Sequence, residues 1–142
     1  MAKLVFDFHI TLHPDKISAM DATNGKVVMI PFDGEVESPL FTGKTVPGGI
    51  DVQVENAAGI RHMCARYMFR GVDAEGNACH LFVDNNGYFE PGHDGSKPFH
   101  TCPTLMTDST ALAPYVEGAH FRAEGHMKED GLHILVFDTH EN

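Results

Sequence analysis

Tryptophan is absent from this chain, and tyrosine occurs only 3 times. Cysteine is as scarce. Cys64, Cys79 and Cys102 are odd in number and irregularly spaced, which excludes a disulfide framework and points to a reducing cytoplasm. Cations are few as well: 10 Lys and Arg stand against 20 Asp and Glu, for a formal charge of -10. Phosphate backbones demand clustered cations, so nucleic acid is excluded as a partner, and an anionic membrane surface with it. No apolar run approaches the roughly 18 residues of a spanning helix. The N-terminal stretch carries Asp7 and His9 and does not read as a secretory leader.

What is present describes a foldable chain. Its 142 residues are 42% hydrophobic and 21% charged. That predicts one domain over residues 1–142, with a core that needs neither metal nor disulfide to hold it. Histidine is plentiful, at 10 residues. Protonating all of them would offset the acidic excess, so net charge should change steeply between about pH 7 and 5.

Period-two patterning dominates. Leu4, Phe6, Phe8 and Ile10 alternate with Lys3, Val5, Asp7 and His9, as in a half-buried strand. Further strands are predicted over Lys26–Ile30, Asp33–Phe41, Gly49–Glu55, Ile60–Arg70, Ala78–Asp84, Glu117–Met127 and Leu132–Asp138. Turns are expected at Asn24-Gly25, Asp33-Gly34, Glu75-Gly76-Asn77 and Lys128 to Gly131. Ser109–Tyr115 has room for one helical turn ending at Pro114. About eight antiparallel strands in chain order predict an all-β, closed up-and-down barrel, with an open sandwich as the alternative. A barrel of that size is filled by side chains or holds one small ligand. Residues 85–113 carry Gly87, Pro91, Gly92, Gly95, Pro98 and Pro103 and little periodicity. Their aromatics mark a long covering loop over one barrel mouth rather than a disordered linker.

The run Pro47-Gly48-Gly49-Ile50-Asp51 is followed by Ala65-Arg66-Tyr67, then Asp73-x-x-Gly76, then Asn85-Asn86-Gly87. This series resembles domain-of-unknown-function family 3237, with weaker similarity through Pro103-Thr104-Leu105, over residues 26–138 in all. The resemblance implies a small antiparallel β-barrel and carries no activity with it. Three positions depart from the family pattern: Val52 replaces a Trp, Cys64 an Asp, and Ser38 a Gly.

Asp51 and Arg66 are the leading candidates for chemistry. If both faces point inward, the two charges meet in a low-dielectric lumen and must pair with each other, with water or with a ligand. Arg66 then clamps an anionic or carbonyl end through its planar fork, and Asp51 or His62 moves a proton. The competing reading is a buried ion pair that only fixes strand register. Pro47-Gly48-Gly49 reads as a tight turn rather than a phosphate cradle, because no helix follows it. Tyr67, Asn85, Phe89, Phe99 and His120 complete the expected ligand-contacting set. No compact metal-ligand motif occurs, no cofactor is called for, and no cysteine sits in an activating motif.

Three functions follow in order. The first is a cytoplasmic barrel binding a small, partly apolar, oxygenated molecule, with cofactor-free isomerase, cyclase or lyase chemistry. The second is a non-catalytic module with a filled lumen that forms a homo-oligomer. The third is a metal-dependent barrel enzyme using three of the histidines.

Overall fold

The computed structural model describes residues 2–89, 91–93 and 98–139. Ten strands form one sheet: β1 (Lys3–Leu12), β2 (Ser18–Ala22), β3 (Gly25–Glu37), β4 (Phe41–Thr45), β5 (Ile50–Asn56), β6 (Arg61–Asp73), β7 (Ala78–Phe89), β8 (Phe99–Thr107), β9 (Phe121–Lys128) and β10 (Gly131–Asp138). The sheet closes because β1 pairs with β10 on one side and with β3 on the other, both antiparallel. β2 continues along β3 where β1 leaves off, and β4 and β5 share the position between β3 and β6. The result is the expected closed antiparallel barrel with eight staves.

Alternation decides what goes inside. Phe6, Phe8 and Ile10 of β1, Met63, Ala65, Tyr67 and Phe69 of β6, and Leu81 and Val83 of β7 are all buried. Their aromatic members form a plug at one end. The Phe69 ring lies 4.8 Å from Phe8, 5.5 Å from Tyr67 and 6.4 Å from Phe41. A short helix α1 (Ala113–Val116) caps that end, with Leu112 and Val116 buried beneath it. Pro114 opens this turn rather than ending it, as its missing N–H is no loss in a first turn.

The β6–β7 hairpin at the plugged end is clamped by one carboxylate. Asp73 Oδ2 accepts a 2.7 Å hydrogen bond from Ser109 Oγ, while Oδ1 accepts from the backbone N–H of Glu75 and Asn77. These bonds, the Ser109 hydroxyl foremost, hold the Asp73 carboxyl below its ordinary range. A depressed folded pKa contributes stability above the unfolded value and loses it as pH falls through the folded one. Urea melts of wild type and Asp73→Asn should therefore differ at pH 7 and converge in acid. A gap that persists unchanged at the lowest pH would refute the clamp.

Two sequence expectations need correction. Asp33-Gly34 is not a turn but lies inside β3, where Gly34 lets β1 approach: a Cβ there would meet Ile10 Cδ1 at 2.9 Å. The supposed long loop contains the end of β7 and all of β8. The covering connection shrinks to residues 90–98, of which 90 and 94–97 (Gly95 among them) lie outside the described residues. Pro47 and Gly48 form the expected tight turn, which bulges without reversing the chain. Eight residues from Lys44 to Asp51 face six of β3, Ile30 to Glu35, so two extra residues bulge out of a single stave. Gly48 takes φ +110°, and the stave is stitched across the bulge by Val46 N–H to Met68 O and Phe32 N–H to Gly49 O. An even insertion preserves the alternation, so Asp51 stays on the inner face.

Candidate functional site

Opposite the plug the lumen is open. A cavity of about 350 Å³ lies between the β5–β6 turn, residues 91–93 and the β9–β10 hairpin. Its walls are mostly apolar, with Ile10, Phe32, Met63, Leu132 and Ile134 among the lining residues. Phe89 and Phe99 form part of the wall, as expected, with ring centroids 5.3 Å apart and nearly perpendicular. The Phe99 ring lies flat on Gly125; a Cβ at that position would fall within 2.0 Å of it. His93 stacks on Phe89 at 4.8 Å and, among the described residues, is the one histidine in the lining.

The polar groups come from three adjacent strands in one row. Asp51 on β5 is directly opposite Ala65 on β6, which is directly opposite Asn85 on β7. The small Ala65 side chain leaves the space between the two polar residues open. Tyr67, two positions along β6, points the same way and also lines the cavity. Four buried side-chain oxygens among the described residues have no hydrogen-bond partner: Asp51 Oδ1, Tyr67 OH, Asn85 Oδ1 and Thr101 Oγ1. The first three belong to residues of the cavity wall.

A chain of bonds runs from the rim to Asp51. Glu55 Oε1 lies 3.3 Å from Arg61 Nη2, Arg61 Nη1 donates to Gln53 Oε1 at 3.0 Å, and Gln53 Nε2 donates to Asp51 Oδ2 at 2.8 Å. One carboxylate oxygen is thus fixed while the other is left bare. Burial pushes the Asp51 pKa above the usual carboxylate value. The Gln53 hydrogen bond and the charges of Arg61 and His62 oppose it only in part. Tyr67 is pushed up too, by burial and then by the Asp51 charge, so its phenol stays protonated.

The expected meeting of Asp51 and Arg66 does not occur. Arg66 is directly opposite Asp84 on the outer wall, with its Nε 3.5 Å from Asp84 Oδ1 and a side chain 66% exposed. The reason is the strand period: Met63, Ala65, Tyr67 and Phe69 take the inner face, so 62, 64 and 66 must face out. His62 is likewise outside, bonded to Asn86 Oδ1 at 3.2 Å and packed against Tyr88. His120 is exposed ahead of β9, toward the plugged end, and is not among the cavity residues. Asp51, Tyr67, Asn85, Phe89 and Phe99 are brought together; Arg66, His62 and His120 are not. The inward guanidinium is Arg61, which sequence reasoning passed over with its partner Glu55. Both were marked by parity, Arg61 with Met63 and Ala65, Glu55 with Asp51. The departures Val52 and Cys64 face each other outside the barrel and leave the cavity untouched.

The family model for a protein of unknown function, DUF3237, matches residues 2–139. The chain belongs to the DUF3237 family. The match reaches further toward the N-terminus than the motifs alone suggest. A UPF0311 protein of Clostridium acetobutylicum is 33% identical over 119 residues, 74% of this chain and 73% of that protein. Among solved structures, a protein of unknown function from Clostridium acetobutylicum superposes with TM-score 0.77 at 24% identity, covering 97% of this chain and 95% of the other. An enzyme from Penicillium herquei superposes with TM-score 0.66 at 14% identity, covering 97% and 94%. These structures share the barrel fold with the DUF3237 chain.

Proposed function

We infer that the open end of the barrel binds a small, neutral, largely apolar hydroxy-carbonyl compound and moves a proton on it without a cofactor. One observation carries this: three orphaned polar oxygens, from Asp51, Tyr67 and Asn85, in residues that line one apolar cavity. Each buried group left without a partner costs about 1–3 kcal/mol, and a ligand that supplies the missing partners offsets that cost. Asn85 Oδ1 accepts from a ligand hydroxyl, Tyr67 O–H donates to a carbonyl oxygen, and Asp51 Oδ1 faces a C–H or O–H. The volume lies at the small end of ordinary ligand pockets, roughly 300–1,000 Å³.

The chemistry is a proton shuttle. Asp51 takes a proton from the carbon next to the carbonyl, and the charge that develops on the carbonyl oxygen is held by Tyr67. Returning the same proton to a different atom isomerises the ligand. Expelling or adding an oxygen at the neighbouring carbon gives elimination or ring closure. A carboxylate with a raised pKa is the stronger base, and a phenol kept neutral is a permanent donor. Asp51 and Glu55 outnumber Arg61 in the lining, which disfavours an anionic ligand and replaces the anion clamp expected of Arg66. Reduced Cys64, Cys79 and Cys102 favour a cytoplasmic setting for this reading.

The test is a thermal-shift panel of neutral aromatic and alicyclic hydroxy-ketones, followed by solvent-deuterium incorporation at the α-carbon by NMR. Wild type should be stabilised and should catalyse exchange. Ala65→Leu, which fills the gap between Asp51 and Asn85, should keep its fold and lose ligand-induced stabilisation by at least tenfold in affinity. Equal binding by Ala65→Leu would remove the cavity from the argument.

A further inference from the structure

On the outside of the barrel, on the wall whose inner face carries Ile10, Leu132 and Ile134, lies a second cluster. His9 of β1 is directly opposite His133 of β10 on one side and Glu35 of β3 on the other. The two imidazoles stack with centroids 4.8 Å apart and planes 16° from parallel. Asp130, at the tip of the β9–β10 hairpin, closes the group. One ligand atom from each of His9, Asp130 and His133 lies within 4.8 Å of the others.

Each ring has a carboxylate near its Nδ1, hydrogen-bonded only for His133. His133 Nδ1 is 2.8 Å from Asp7 Oδ1, and His9 Nδ1 is 3.6 Å from Glu35 Oε1. Both Nε2 atoms are turned toward Asp130: His133 Nε2 is 2.8 Å from Oδ1, while His9 Nε2 donates to the Asp130 backbone oxygen at 2.6 Å and lies 4.0 Å from Oδ2. Both Nε2 atoms donate a proton to oxygens of Asp130, so a bound ion takes the place of these two protons and releases them, and the Asp7 carboxylate on His133 Nδ1 raises the basicity of the freed lone pair. The backbone supports the same arrangement. Gly131 adopts φ +123°, and a Cβ there would sit 3.2 Å from His9 Nε2, so a glycine lets the hairpin lie against that nitrogen. Two imidazole nitrogens and one carboxylate oxygen form a borderline-soft donor set, suited to a tetrahedral divalent ion with water in the fourth position.

We propose that His9, Asp130 and His133 form a surface zinc site that staples the β9–β10 hairpin to β1 at the barrel's closing seam. Asp130 supplies the third ligand: its side chain is 65% exposed and already lies against His133 Nε2, and the two rings are 29% and 12% exposed. The site faces away from the cavity, so it does not depend on the acid–base reading above.

Isothermal titration of Zn²⁺ into protein purified without a polyhistidine tag tests it. Wild type should bind one equivalent with a micromolar or tighter Kd and melt higher with zinc. His9→Ala, His133→Ala and Asp130→Asn should each weaken binding at least tenfold and abolish the zinc-dependent rise in Tm. Asp7→Asn should weaken binding about 10- to 100-fold by freeing the His133 ring. His80→Ala, elsewhere on the surface, should change nothing. Asp130→Asn lies on an exposed turn, so it keeps the test open should a histidine variant misfold. No saturable equivalent, or an isotherm unchanged in both His133→Ala and Asp130→Asn, overturns the assignment.

Discussion

Replacing Asp51 with asparagine is expected to slow ligand proton exchange by roughly 100- to 10,000-fold, the usual contribution of a positioned general base. The same change should make the protein more stable at neutral pH. Both effects have one cause. The Asp51 carboxyl is buried, and burial raises its pKa. A group whose folded pKa lies above its unfolded one favours the fold in acid, where it is protonated in both states. That favour is lost as pH rises through the folded pKa. Above it, the protein carries an ionised carboxylate whose Oδ1 has no partner. Asparagine still accepts from Gln53 Nε2 and removes the charge. Urea melts should show the variant about level with wild type near pH 4 and more stable by on the order of 1 kcal/mol at pH 7. An Asp51→Asn protein that exchanges ligand protons at the wild-type rate would refute the base. One that is less stable at pH 7 would refute the burial cost.

That trade-off explains why β5 departs from the usual alternation. Ile50, Val52 and Val54 alternate with Asp51, Gln53 and Glu55, and the ordinary rule sends the apolar set inward. Here Val54 is 44% exposed and the polar set lines the cavity. The strand violates the rule where the lumen is hollow and obeys no core-packing demand. Its neighbour β6 obeys the rule from Met63 to Tyr67 and on to Phe69 on its inner face, because its lower half is the aromatic plug. The sequence places Met63, Ala65, Tyr67 and Phe69 together, and that alone required Arg66 to face out. The error lay in letting two charged residues share the lumen because each looked functional, when the period allowed only one of them.

β8 was hidden for a different reason. Pro98 and Pro103 flank or interrupt it, and proline normally argues against an interior strand. The structure tolerates Pro103 because the β8–β9 ladder covers only Phe99 to Thr101. Beyond that point no β9 residue asks for the missing N–H, and α1 packs alongside instead. The closing pair of β1 with β3 and β10 is also invisible in local pattern, since closure is a property of the whole sheet. The hairpins at Glu75–Asn77 and Lys128–Gly131 were legible because each is set by neighbours in sequence, whereas the count of eight came out because β3, expected as two strands, stood in for β8.

The plug makes the second large effect testable. Phe69 is fully buried and packs with Phe8, Phe41 and Tyr67 at once. Truncating a buried phenylalanine to alanine costs about 3–5 kcal/mol, through lost transfer energy and the cavity left behind. Against the roughly 5–15 kcal/mol of a typical domain this is a large share. Phe69→Ala should therefore shift the urea midpoint far more than any substitution in the open end. The effect should reach the ligand as well. Tyr67 rests edge-on against Phe69 with centroids 5.5 Å apart, and without that ring beneath it the phenol loses its fixed height in the lumen. Phe69→Leu, which refills most of the space, should recover over half of the lost stability and restore the ligand-induced thermal shift. A Phe69→Ala protein within about 1 kcal/mol of wild type would show that the barrel is anchored elsewhere. Full ligand affinity in that variant would separate the floor of the cavity from the plug that we take to support it.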